Sequence, residues 1–207
     1  MSYKFPLAFD SWDNDEKQAI FNVVESGFFT MGDKVKEFEQ SFASYIGSKH
    51  AVMVNSGSSA NLLMIASLFY NRDVNKRLKR GDEVIVPAVS WSTTYFPLYQ
   101  YGLKFKFVDI DIETLNFDLQ KLDAAVTEKT RLILAVNLLG NPNDFDEIKK
   151  IIGTKNIILL EDNCEALGAE FKNKKTGTIG KMGTFSFYYS HHISTIEGGM
   201  IVTDDEE

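Results

Sequence analysis

Short apolar runs that alternate with longer amphipathic segments constrain this chain more than any other feature of its sequence. His50 to Val54, Glu83 to Pro87, Lys104 to Val108, Leu132 to Asn137 and Ile157 to Glu161 read as strands. Thr184 to Tyr189 and Met200 to Thr203 complete the strand set. Between them, Ser58 to Tyr70, Ser92 to Tyr101, Leu119 to Val126 and Asp144 to Ile152 read as helices. The first of these carries apolar Leu62, Leu63, Ile65, Ala66 and Phe69. Alternation at this spacing implies an α/β domain in which parallel strands pair through crossover helices. The first fifty residues differ: Asp15 to Ser26 and Lys34 to Tyr45 look helical, joined by a glycine-hinged loop from Gly27 to Gly32. No internal repeat, low-complexity stretch or linker divides the chain, so one domain is expected over residues 1–207.

A chain of 207 residues, 44% hydrophobic and 25% charged, is large enough for one sizeable core. Its net charge of -7 argues against non-specific nucleic-acid binding. No stretch approaches the roughly 20 apolar residues of a membrane span. Met1 to Asp10 lacks the basic flank and apolar run of a signal peptide. The single cysteine, Cys164, has no internal disulfide partner. Together these features point to the cytoplasm. Thr203 to Glu207 reads as a helix start without a helix body, so a further C-terminal domain is expected beyond it.

In a sheet of this kind ligands gather beyond the carboxyl ends of the strands. That rule selects the loops Asn55 to Ala60, Ala88 to Thr93 and Asp162 to Glu165. In the first, a strand ends, Gly57 allows a tight turn and a helix opens on Ser58 and Ser59. Free N–H groups there suit a phosphate, and an ordinary serine cap accounts equally well for the pattern. In the third, Glu161 and Asp162 close a buried apolar run, where ionisable groups need partners. A carboxylate so placed can hold a protonated ring nitrogen, or it can cap a helix. Trp91, just past a strand end, suits stacking on a flat ring as well as a place in a core or interface. His191 and His192 are adjacent and point in different directions, a poor bidentate metal pair. His50 is the only other histidine, so no metal site is expected. A lone histidine is usually structural, but it is also the best general acid–base near neutral pH.

In their order and spacing these segments resemble the DegT/DnrJ family of sugar aminotransferases. The likeness runs from Phe29-Thr30-Met31-Gly32 through Tyr45 to Val52, Ser56-Gly57-Ser58-Ser59-Ala60, Val86-Pro87 and Glu161-Asp162. It continues through Gly183 to Phe187 and ends at Glu197-Gly198-Gly199-Met200. The resemblance implies the large domain of an aspartate-aminotransferase-like, PLP-dependent fold: a mostly parallel sheet with helices on both faces, followed by a small C-terminal domain. It implies that Gly57, Ser58 and Ser186 contact the cofactor phosphate. Trp91 stacks on the pyridine, Asp162 pairs with the ring nitrogen, and Glu165 lies near the cofactor.

One position departs from the aminating members. Where they carry the Schiff-base lysine, this chain has His191, and Lys181 lies too early in the motif to replace it. Histidine cannot hold PLP covalently, but it can move a proton. The Ser-His-His-Ile pattern resembles the 3-dehydratase subgroup that acts on GDP-4-keto-6-deoxymannose. That likeness implies that pyridoxamine 5'-phosphate condenses with the 4-keto group of a nucleotide-linked sugar and that His191 serves as catalytic acid–base. The 3-hydroxyl leaves as water, and glutamate regenerates the amino form of the cofactor. A homodimer with shared active sites is implied as well. The alternatives are an iron–sulfur, reductase-coupled 3-dehydrase, a plain aminotransferase, which the missing lysine disfavours, and an inactive member of the fold serving as a binding module.

Overall fold

The computed structural model describes residues 12–207; Met1 to Asp10, where no signal peptide is expected, lies outside the described residues. Helix α1 (Asn14–Ser26) opens on a capping box between Asp13 and Glu16, and α2 (Asp33–Ile46) follows the glycine-hinged loop. Both helices stop at glycines in the left-handed region, Gly27 (φ 68°) and Gly47 (φ 82°), where a side chain would be strained. The chain continues as β1 (His50–Val54), α3 (Gly57–Phe69), β2 (Glu83–Pro87), α4 (Ser92–Gln100), β3 (Lys104–Val108), α5 (Leu119–Ala125) and β4 (Thr130–Val136). Then come α6 (Phe145–Ile152), β5 (Ile158–Asp162), a small hairpin of β6 (Glu170–Phe171) and β7 (Lys174–Lys175), β8 (Met182–Ser186) and β9 (Gly199–Thr203).

Seven strands form one sheet in the order β1-β9-β8-β5-β4-β2-β3. The run from β8 to β3 is parallel throughout, as the strand–helix alternation predicts. The sequence pattern did not reveal that β9 runs antiparallel to both of its neighbours. It also missed the β6–β7 hairpin, whose two-residue strands are too short to show a period. Strand β8 begins at Met182, two residues before the expected Thr184, because Lys181 N–H already bonds to the Leu159 carbonyl at 2.8 Å and Met182 pairs with Leu160. Among the described residues no helix is long and apolar enough to cross a membrane.

Side-chain alternation along the strands divides the core into two layers. Val84, Val86, Leu132, Leu134 and Leu160 pack with Met64, Ile65 and Leu68 of α3 and Leu98 of α4. The intervening Ile85, Ile133, Ala135 and Leu159 pack with Leu122 and Ala125 of α5 and Phe145 and Ile148 of α6. Helices therefore cover both faces. A third cluster seats Phe42 and Ile46 of α2 on Phe185, Phe187, Met200 and Val202. There Phe42 meets Phe185 and Phe187 edge-on, at centroid distances of 5.1 and 5.4 Å.

This packing makes a stability prediction. Phe185→Ala should cost about 3–5 kcal/mol, the transfer term plus a cavity that α2 cannot close. Ile112→Ala, at a side chain 79% exposed, should stay within about 0.5 kcal/mol. Urea midpoints at constant m-value measure both, and equal midpoints would contradict the assignment of Phe185 to the core.

Candidate functional site

The carboxyl ends of β1, β2, β5 and β8 open on a single cavity of about 520 Å³. The seven residues expected to carry the site all line it: Gly57, Ser58, Trp91, Asp162, Glu165, Ser186 and His191. His192 does not, and its side chain is exposed.

The rim at β1 is built by the start of α3. Ser56 caps the helix, its hydroxyl accepting from Ser59 N–H at 3.1 Å and its carbonyl from Ala60 N–H at 2.9 Å. The N–H groups of Gly57 and Ser58 are left as the orphan donors of the first turn. Glycine at 57 is a steric requirement. A Cβ there would stand 2.6 Å from Ser186 Cβ and 2.9 Å from Cys164 Sγ, so only glycine brings this turn against the end of β8. Ser186 holds its place by accepting from Tyr188 N–H through its hydroxyl at 3.3 Å.

Two carboxylates end β5 on opposite sides of the strand. Glu161 is fully buried and accepts from the N–H groups of Gly177, Ile179 and Gly180 and from the Asn137 amide. Burial raises its carboxyl above the usual carboxylate range, against the pull of those four donors. Asp162 faces the cavity. Its Oδ2 accepts from Asn61 Nδ2 at 2.9 Å and from the Thr94 hydroxyl at 2.8 Å; its Oδ1 accepts from Cys164 N–H at 3.1 Å. Glu165 reaches across the mouth to Leu139 N–H at 3.1 Å, fixing a turn in which Leu139 adopts φ 52°.

Trp91 stands at the cap of α4, 72% exposed, on the cavity wall. His191 lies in a turn closed by its N–H to the Tyr188 carbonyl at 2.9 Å, and its ring meets Tyr188 edge-on at 6.1 Å. Partial burial lowers the imidazole pKa, and the charges of Glu165 and Asp162 oppose that shift. Lys181, the lysine nearest the motif, points elsewhere and is ion-paired with Asp205. The described wall includes no lysine, so His191 is its one nitrogen base. Among the described residues no cluster of ligating side chains could hold a metal.

Sequence reasoning missed several contributors. Asn61 and Thr94 hold Asp162, and Tyr188, Ser190 and Glu197 line the wall. Asn61 did leave a signal: an amide on the buried face of an apolar helix needs a partner inside the protein.

Comparison with known proteins follows the same lines. The chain is 66% identical to the GDP-4-keto-6-deoxy-D-mannose 3-dehydratase of Escherichia coli O55:H7 over 98% of its length, and 63% identical to that of Yersinia pseudotuberculosis. It spans about half the length of these curated relatives, 52% and 51%. The solved E. coli GDP-4-keto-6-deoxy-D-mannose-3-dehydratase with bound hydrated PLP superposes with a TM-score of 0.96 at 65% identity. That match covers 99% of this chain and 52% of the other. The model of the DegT/DnrJ/EryC1/StrS aminotransferase family matches residues 10–207, nearly every residue that builds the sheet and its cavity, and the chain belongs to that family.

Proposed function

We propose that residues 1–207 form the cofactor-binding large domain of a PLP/PMP-dependent 3-dehydratase. Its substrate is a nucleotide-linked 4-keto-6-deoxyhexose, GDP-4-keto-6-deoxymannose by likeness to the E. coli and Yersinia relatives. One observation carries the reading: the nitrogen base facing Asp162 across the cavity is a histidine, and no lysine lines the described wall.

The residues fit a phosphorylated pyridine. Gly57 lets its turn close against Ser186, and the two N–H groups at the start of α3 with the Ser186 hydroxyl suit a phosphate. Trp91 offers a flat face, and Asp162 offers its Oδ1 to a ring N–H. When bound, the cofactor supplies an electron sink. Asp162 supports it by stabilising positive charge at the ring nitrogen. His191, held neutral near pH 7 by burial, takes a proton on an imidazole nitrogen and returns it to the departing 3-hydroxyl. Glu165 stands close enough to stabilise the imidazolium formed between those transfers.

Glutamate as the amino donor is supported by a related dehydratase structure with a trapped PLP-glutamate geminal diamine. A homodimer is supported by the apolar side chains that α1 and its loop leave exposed, Phe21, Val24, Phe28, Phe29 and Met31 among them. A cytoplasmic setting fits the single free thiol, Cys164.

In the full-length protein, His191→Asn should retain PLP and sugar while losing 3-deoxy sugar formation, and His192→Asn should remain active. The reverse pattern would remove His191 from the mechanism. Borohydride treatment of the PLP-loaded protein, followed by mass spectrometry, should find no pyridoxyl-lysine; a stoichiometric adduct on Lys181 or any other lysine contradicts the reading. The acid limb of kcat/KM reports the free base. Because burial lowers the His191 pKa, that limb should lie below about pH 6.5, the ordinary histidine value, with activity lost as pH falls through it. A limb above pH 7 would point to another base.

A further inference from the structure

Asp162 is a buried carboxylate whose partners in the chain are all neutral donors. The titratable groups around it are Tyr95 on α4, Cys164 and Glu165 after β5, and His191. Tyr95, Cys164 and Glu165 carry no positive charge in any protonation state, and burial pushes the His191 pKa down, so none of these supplies a fixed cation near neutral pH. The carboxylate's orientation therefore rests on its hydrogen bonds.

Those bonds are asymmetric. Oδ2 takes two side-chain donors, Asn61 and Thr94, while Oδ1 takes the backbone N–H of Cys164, whose thiol also interacts with the carboxylate. Asn61 could in principle present either its amide NH2 or its carbonyl oxygen to Asp162. Turned the wrong way, it would set oxygen against oxygen at 2.9 Å. The carboxylate, which only accepts, selects the NH2, and Thr184 secures that orientation. Its hydroxyl, fully buried on β8, donates to Asn61 Oδ1 at 2.7 Å and leaves Nδ2 to face Asp162. Its other neighbouring oxygen, the Glu161 carbonyl, is 3.4 Å away and competes poorly for the same hydrogen. Thr94 is fixed in turn by contact with the Ser90 hydroxyl at 2.8 Å.

We infer that Asn61, oriented by Thr184, and Thr94 are positioning residues that saturate one oxygen of Asp162 and leave the other as the acceptor for a protonated ring nitrogen. The inference rests on the reading of Asp162 given above. Asn61 lies on α3, Thr94 on α4 and Thr184 on β8, so the carboxylate is held from three elements at once. Buried networks of this kind fix a geometry only while every member is satisfied.

The test uses full-length protein loaded with PLP carrying a 15N label in the ring, and reads the nitrogen chemical shift at pH 7.5. Near-ultraviolet circular dichroism establishes that each variant is folded. Wild-type protein should show a protonated ring nitrogen, and Asp162→Asn should show it deprotonated. Thr184→Val and Thr94→Val should shift the protonated-to-neutral ratio at least about tenfold toward the neutral form. Thr184→Ser, which keeps the hydroxyl, should restore the wild-type signal; a merely space-filling role for Thr184 would not produce that rescue. If Thr184→Val does not fold, Thr94→Val carries the test alone. A fully protonated nitrogen in the folded valine variants, with Asp162→Asn deprotonated, overturns the inference and leaves the role of Asp162 standing. A protonated nitrogen in Asp162→Asn overturns both.

Discussion

The burial of Glu161 is the constraint on which the rest of the site depends. A carboxyl with no solvent must find donors inside the protein, and leaving it unpaired would cost several kcal/mol. Here the donors are backbone N–H groups of Gly177, Ile179 and Gly180, so the loop leading into β8 wraps around the end of β5. That wrapping sets the register in which Leu160, Glu161 and Asp162 pair with Met182, Gly183 and Thr184. Strand alternation then turns Asp162 the other way, into the cavity, and places Thr184 beside it. One carboxylate holds the frame, and its neighbour faces the ligand.

The close approach of backbone segments follows from the same arrangement. Gly183 lies against Gly177, where a Cβ would come within 2.2 Å of the Gly177 carbonyl oxygen. Gly57 meets Ser186 and Cys164 in a similar way. These glycines mark places where the strand ends converge more tightly than side chains permit.

Much of the fold was legible because β2, β4 and β5 carry continuous apolar runs that only a sheet covered on both faces can bury. The reversal of β9 was not legible, since Met200 and Val202 would alternate in the same way in either direction. For the site, Gly57, Ser58 and Asp162 could be proposed from strand-end chemistry. Ser186, Glu165 and His191 required the family motif, because nothing in a loop's composition states which cavity it faces. Asn61 and Thr94 were missed for a different reason. Each is an ordinary residue in a helix, and its importance comes from a carboxylate 101 or 68 positions away in the chain.

The position of β1 bears on how the molecule is made. Among the described residues β1 pairs only with β9, Val54 lying opposite Gly199. About 145 residues separate the two, so a ribosome adding roughly 5–20 residues per second leaves β1 without its neighbour for roughly 7 to 30 seconds. Through that interval Val52, Met53 and Val54 belong to an unpaired edge, the kind of surface on which nascent chains aggregate. The contact beneath the Ser56–Gly57 turn is completed only by Gly199, where a Cβ would lie 2.2 Å from the Ser56 carbonyl oxygen. The wall of the cavity that is written first in the gene is thus the last to close.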